Sequence, residues 1–252
     1  MRKFEPGDDL RGQDLSTRDL TGENFSSTDF RGCNLAGALL IRARLRRAEL
    51  DSACLTGANL TESHLHQATL HSATAIRTNF TRADLTEADL SSAKLVKMKL
   101  GEATLVRANL NSADITDSDL TNSYLSGLSR AADLTGASLV STNLSGSNLS
   151  GAPYGPGDYT GVNLSEANLS NADLSYTNLC RVNFAKAILT NVDLTSASLS
   201  CSCLVQADLS GSNLTNADFG EADLTQANLT NAILVNTRFR RTILDGVIGH
   251  NW

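Results

Sequence analysis

A bulky apolar residue stands at every fifth position from Leu10 to Leu125, broken only at Ala75, and again from Leu134 to Leu244. The first run holds 24 such centres and the second 23. Around each centre the same unit recurs, as in Ala83-Asp84-Leu85-Thr86-Glu87: a small residue, Asp or Asn, the centre, Ser or Thr, and a free position. Repetition this regular has to be settled before any helix or strand is assigned. An α-helix turns every 3.6 residues, so apolar residues five apart walk around its surface and form no buried stripe. A strand has period two, so a spacing of five puts successive centres on opposite faces. Leu and Ala nevertheless recur too strictly to be left in water. The remaining solution is a chain that turns a corner about every five residues. Each short segment then points its centre, and the small residue two places earlier, inward.

The unit resembles the pentapeptide-repeat family, and the resemblance covers about Asp8 to Asp245. It implies an all-β fold, a right-handed quadrilateral parallel β-helix in which four segments close a coil of 20 residues. Coils stacked at about 4.8 Å would bond backbone to backbone, giving about 12 coils and a length of about 55–60 Å. Leu85, Leu90, Leu110, Leu169, Leu174 and Leu209 are expected in the core ladder.

One domain is expected, because a repeat stack is quasi-one-dimensional and no linker composition interrupts this one. Residues 1–27 read as an N-terminal cap and irregular first coil: Asp8, Gln13, Arg18 and Glu23 occupy small positions where a long or charged side chain is costly to bury. Phe4, Phe25 and Phe30 are placed to cover that end. Repeats fill 28–245, and 246–252 form a C-terminal cap ending in Trp252, the only tryptophan. Between Leu125 and Leu134 the step is nine, a phase break at 126–133. The segment 152–159, Ala-Pro-Tyr-Gly-Pro-Gly-Asp-Tyr, keeps the count but crowds two tyrosines into centre positions, and one of them is expected to swing out. At Ala75 the chain either leaves a void or bulges to bring Ile76 inward, in a coil expected to remain continuous.

Net charge is −6, yet the segment 131–237 holds nine acidic residues against two basic ones, so it alone is −7. The balancing cations gather at Arg42, Arg44, Arg46 and Arg47 and again from Arg77 to Lys99. A 20-residue coil would put Arg42 over Glu62 and Glu62 over Arg82, an attractive ladder. His64 and His66 flank an inward centre and read as solvated histidines, not zinc ligands, because no acid or thiol stands at ligand spacing. Cys201-Ser202-Cys203 is weak as a metal signature, and Cys33 at a small position reads as a buried thiol.

No HExxH, GxSxG or phosphate-loop motif is present, and a filled repeat offers no water-excluding pocket for catalysis. No enzyme activity, cofactor or metal is therefore expected. Lacking a basic stripe, the chain does not read as a direct nucleic-acid binder. It has no transmembrane run, and its first residues lack the apolar core of a signal peptide, which points to the cytoplasm. The expected function is a protein–protein interaction or scaffold module presenting flat ladder surfaces to an unidentified protein. A monomer is expected, with an end-to-end dimer as the alternative. Candidate surface residues are Arg42, Arg44, Arg46 and Arg47, the irregular Tyr154, Asp158 and Tyr159, and the acids Asp173, Asp193, Asp208, Asp218 and Asp223. Some members of the family bind DNA gyrase as mimics of DNA, so the resemblance also implies an alternative, a mimic that occupies the groove of a gyrase or topoisomerase. Those members dimerise through a C-terminal helical module and are more acidic, and this sequence departs from them in both respects. A structural stack without a specific partner is the third reading.

Overall fold

The computed structural model describes residues 4–120, 122–125 and 162–249. The phase break at 126–133 and the segment 152–159 lie outside the described residues, as does Trp252.

Each five-residue unit is built on one tight turn. The centre's carbonyl accepts from the backbone N–H three residues on, as from Ala38 to Leu35 at 3.0 Å and from Ala93 to Leu90 at 3.1 Å. The residue two after the centre has a positive φ, 55° at Arg42, 57° at Ser92 and 55° at Asn191. Positive φ at the third of four residues is the signature of a type II turn. Glycine takes this position at Gly12 and Gly57, where the left-handed backbone suits it. A side chain there costs about 1–2 kcal/mol. Burying one Leu contributes about 1.5–3 kcal/mol, so the unit tolerates the strain because each corner swings a Leu into the core.

Successive coils meet in a register of 20 residues. The Leu85 N–H donates to the Thr104 carbonyl at 2.7 Å, and the Thr104 N–H donates back to Ala83 at 3.0 Å. The residue before each centre therefore forms a parallel bridge with its counterpart 20 residues later, as in Asp84 with Thr104 and Asp173 with Asp193.

These bridges correct the expected fold class. Among the described residues there is no helix and no assembled β-sheet; every parallel pairing is an isolated single-residue bridge. The chain is thus not the sheet-built quadrilateral β-helix that the resemblance implied. The physical reason lies in the period. A strand needs several consecutive extended residues, but two of every five here belong to a turn, and only one residue per segment is left to pair in both directions. The architecture is a stack of tight turns held in a 20-residue register.

The inside is apolar and closely filled. Leu85, Leu90, Leu110, Leu169, Leu174 and Leu209 are at most 1 % exposed. Where Ser, Thr or Cys takes the small position, the side chain turns back to a centre carbonyl: Thr78 to Leu55 at 2.7 Å, Ser118 to Leu95 at 2.9 Å, Cys33 to Leu10 at 2.7 Å. Thr28 is the exception, buried with no partner for its hydroxyl. Ala75 occupies its centre in register, with its N–H on Lys94 at 2.8 Å, and Ile76 stays at the following outward position without a bulge.

The two ends differ. Phe4 packs on Phe25 with ring centroids 5.2 Å apart, and the Arg18 guanidinium lies 5.8 Å from the Phe4 ring. Leu10, Leu15 and Leu20 beneath them are buried. At the other end Ile233, Val235, Ile243 and Ile248 are exposed, and Leu234, Phe239 and Leu244 are only partly covered.

Candidate interaction surfaces

The register turns positions 20 apart in sequence into neighbours on the surface. The corner after the Leu40 column carries Arg42, Glu62, Arg82 and Glu102 in alternating charge. Arg42 Nε meets Glu62 at 2.6 Å and Arg82 Nε meets Glu102 at 2.9 Å. At the next corner Arg47 donates to Gln67 at 2.9 Å, Gln67 donates to Glu87 at 2.7 Å, and Arg107 lies 2.6 Å from Glu87. The bond from Arg42 holds the Glu62 carboxyl below its ordinary range, and the Gln67 amide does the same for Glu87. The Arg42 corner is therefore charge-balanced within itself, while the Arg47 corner sets two arginines against one glutamate.

The segment between those corners is different. Arg44 and Arg46 flank the buried Leu45 and are exposed, with no ion pair or side-chain hydrogen bond among the described residues. One coil on, His64 and His66 flank Leu65 in the same way, and Arg44 bridges to His64. One coil back, Ser26 donates to Asn24 at 2.8 Å, so that pair is satisfied. One coil further on, Asp84 accepts the Thr86 N–H at 3.0 Å. The four predicted arginines are thus brought together, Arg42 paired with a glutamate, Arg47 bonded to a glutamine, and Arg44 and Arg46 left open above a pair of imidazoles. Spacing by 20 in the sequence was the signal that would have joined the histidines to this group.

The predicted acids are not brought together. Asp173 and Asp193 stack in one column, which continues as Asn213 and Ile233. Asp208 lies between Ile188 and Asn228, Asp218 between Ser198 and Arg238, and Asp223 between Cys203 and Ile243, each in a column of its own. Five acids thus occupy four columns. Each carboxylate is held by its own turn, accepting the backbone N–H two residues on: 2.9 Å from Ser175, 2.9 Å from Thr195, 3.0 Å from Ser210, 3.0 Å from Gly220 and 2.9 Å from Thr225. Asp218 also lines a depression of about 450 Å³ with Ser200, Cys201, Gly220, Glu221, Arg238 and Arg240. Tyr154, Asp158 and Tyr159 lie outside the described residues.

The acids of the first coils are more strongly held. Hydrogen bonds from the Arg11 side chain and backbone pull Asp9 down to about 2. Ser16 lowers Asp14 and Thr21 lowers Asp19, each through side chain and backbone, while Arg31 lowers Asp29. Burial raises the Cys33 and Cys201 thiols, the direction that makes a cysteine inert. Among the described residues no group of three or more His, Cys, Asp or Glu could hold a metal ion, and no helix is long and apolar enough to cross a membrane.

A family model described as pentapeptide repeats matches the chain in eight copies, over residues 24–62, 63–97, 95–127, 130–152, 163–200 and 207–246. No curated protein sequence matches. Among solved structures, the chain is similar to HetL, a pentapeptide repeat protein involved in heterocyst differentiation regulation from the cyanobacterium Nostoc sp. Strain PCC 7120. Identity is 28 %, coverage is 100 % of this chain and 94 % of HetL, and the TM-score is 0.31. It is similar to Rfr23 from the cyanobacterium Cyanothece 51142 at 34 % identity over 44 % of this chain and 85 % of that one, with a TM-score of 0.36. It is also similar to full-length QnrB1, a plasmid-mediated fluoroquinolone resistance protein, at 19 % identity over 96 % and 94 %, with a TM-score of 0.35. At scores this low the likenesses carry nothing about function.

Proposed function

The chain belongs to the pentapeptide-repeat family, a family of non-catalytic repeat proteins, and from that premise we propose that it is a protein-recognition module. Its ladder surfaces meet another protein, and it carries out no chemistry on that partner. One observation carries this reading: charged corners such as Arg42–Glu62 are neutralised internally, while Arg44 and Arg46 between them are left without a partner. Exposed charges that a fold leaves open amid satisfied ones give specificity and encounter rate in association. Within the described coils the ladder bonds consume the backbone, which leaves recognition there to side chains.

The test is affinity capture from native lysate with three proteins: the wild type, Arg44→Glu/Arg46→Glu, and Asp173→Lys/Asp193→Lys. A partner set that changes with at least one reversal supports recognition through a face. A set that both reversals leave unchanged contradicts it.

A second reading, mimicry of DNA at the groove of a gyrase or topoisomerase, is favoured by the stacking of Asp173 on Asp193 and by the −7 charge of segment 131–237. It needs acids continued along one side, whereas the column runs on into Asn213 and Ile233. A supercoiling assay with DNA gyrase separates the readings. Inhibition or protection at micromolar protein supports mimicry, and no effect rules it out.

A further inference from the structure

The side between these two corners has a spacing of its own. Arg44 and Arg46 straddle one centre, so their positions are two residues apart on a short extended segment, about 6.6–6.8 Å. Below them His64 and His66 repeat the arrangement at the coil-to-coil distance of about 4.8 Å. The result is a flat rectangle of four cationic or cationisable side chains. None of the four makes a side-chain hydrogen bond or ion pair among the described residues. Its limits are equally definite. Asn24 and Ser26 close it on one edge and Asp84 on the other, with the Glu62 and Glu87 corners flanking it.

We propose that this rectangle, Arg44, Arg46, His64 and His66, is the docking site for an extended acidic peptide segment of a protein partner, one with carboxylates at alternate residues. The inference rests on the protein-recognition reading and names the partner's chemistry. An extended strand laid across the side presents alternate side chains at the same 6.6–6.8 Å as Arg44 and Arg46. Two carboxylates then meet two guanidiniums, the geometry in which arginine binds best. The imidazoles beneath supply donors to the outer carboxylate oxygens. A long polyanion is a poor fit, because beyond the rectangle it would run onto Asp84 on one side and Glu23 and Asp29 on the other. A segment of three to five residues stays within it.

The charged groups around His64 and His66 are Arg44 and Arg46 on the coil before and Asp84 on the coil after. At the corners stand Arg42, Glu62 and Arg82 on one side and Arg47, Glu87 and Arg107 on the other. The corner acids are already engaged by arginine or glutamine.

The test is fluorescence anisotropy with the full-length protein and labelled Glu-Ser-Glu-Ser-Glu, its Gln-Ser-Gln-Ser-Gln counterpart, and a 20-nucleotide single strand of DNA. The acidic peptide should bind the wild type and its glutamine counterpart should not. Affinity should fall at least tenfold in Arg44→Glu/Arg46→Glu and stay within twofold in Arg240→Glu, a surface reversal elsewhere. Affinity for the acidic peptide should also fall in His64→Gln/His66→Gln. Matching circular dichroism and melting curves ensure that the variants are compared as folded proteins. No binding of the acidic peptide at millimolar concentration overturns the proposal, and so does an equal loss in Arg240→Glu or tighter binding of the DNA strand. If the peptide fails while capture still responds to Asp173→Lys/Asp193→Lys, only this site is lost and the recognition reading stands.

Discussion

Arg42 and Glu62 are twenty residues apart in sequence and 2.6 Å apart in space, guanidinium Nε to carboxylate. The contact joins one coil to the next at a corner where both backbones are left-handed, with φ of 55° and 57°. Pairs of this kind are weak in solvent and are screened by salt. A double-mutant cycle with Arg42→Ala and Glu62→Ala should therefore give a small favourable coupling in low salt that disappears in 1 M sodium chloride. A coupling that survives high salt would mean the pair is far less hydrated than its exposure implies.

Acid should destabilise the first coils before the rest. Asp9, Asp14, Asp19 and Asp29 all have carboxyls held below the ordinary value, Asp9 at about 2. A carboxyl with a lowered pKa contributes stability that is full above its unfolded value and lost as the pH falls through its folded one. The melting temperature should hold steady above about pH 5 and decline between about pH 4 and pH 2. In Asp9→Asn the decline should be shallower at its most acidic end. An identical pH profile would show that the Arg11 contact does not bind the proton balance to folding.

Two buried threonines should respond oppositely to the same change. The Thr78 hydroxyl bonds to the Leu55 carbonyl at 2.7 Å, whereas the Thr28 hydroxyl has no partner. Thr78→Val should cost about 1 kcal/mol and Thr28→Val should stabilise by about 1 kcal/mol or more. Chemical denaturation of the two variants beside the wild type reads both signs, and the same sign in both would contradict the hydroxyl assignments.

The left-handed corner makes a further prediction. Ser92 is exposed with φ of 57°. Glycine relieves about 1–2 kcal/mol of side-chain strain there and gives back about 0.5–1 in chain entropy. Ser92→Gly should therefore stabilise by about 0.5–1 kcal/mol, and Ser92→Val should destabilise. Equilibrium unfolding of the three proteins checks the order Gly above Ser above Val.

Much of this was legible in the sequence, for a simple reason: one side-chain period sets the whole arrangement. The inward Leu and Ala and the Arg42–Glu62 contact follow from counting in fives and twenties, whereas the count alone leaves open whether the chain bulges at Ala75. The secondary structure did not follow. A buried apolar centre followed by an outward Thr is compatible with a strand, and only the repeated positive φ shows that the turns leave no length for one. The acids misled in another way. Asp173, Asp193, Asp208, Asp218 and Asp223 look like one acidic block along the chain, but only the first two share a remainder on division by twenty, so the register scatters the rest around the stack. The histidines were passed over because their environment comes from residues twenty before them.

The most direct test of the register is through-hydrogen-bond NMR coupling at Leu90 in protein labelled with deuterium, carbon-13 and nitrogen-15. The Leu90 amide donates to the Asn109 carbonyl at 2.7 Å, so a coupling between the Leu90 nitrogen and the Asn109 carbonyl carbon is predicted. A coupling from Leu90 to Thr86 instead, the partner a helix would supply, would contradict the stacked-turn architecture and every surface built on it.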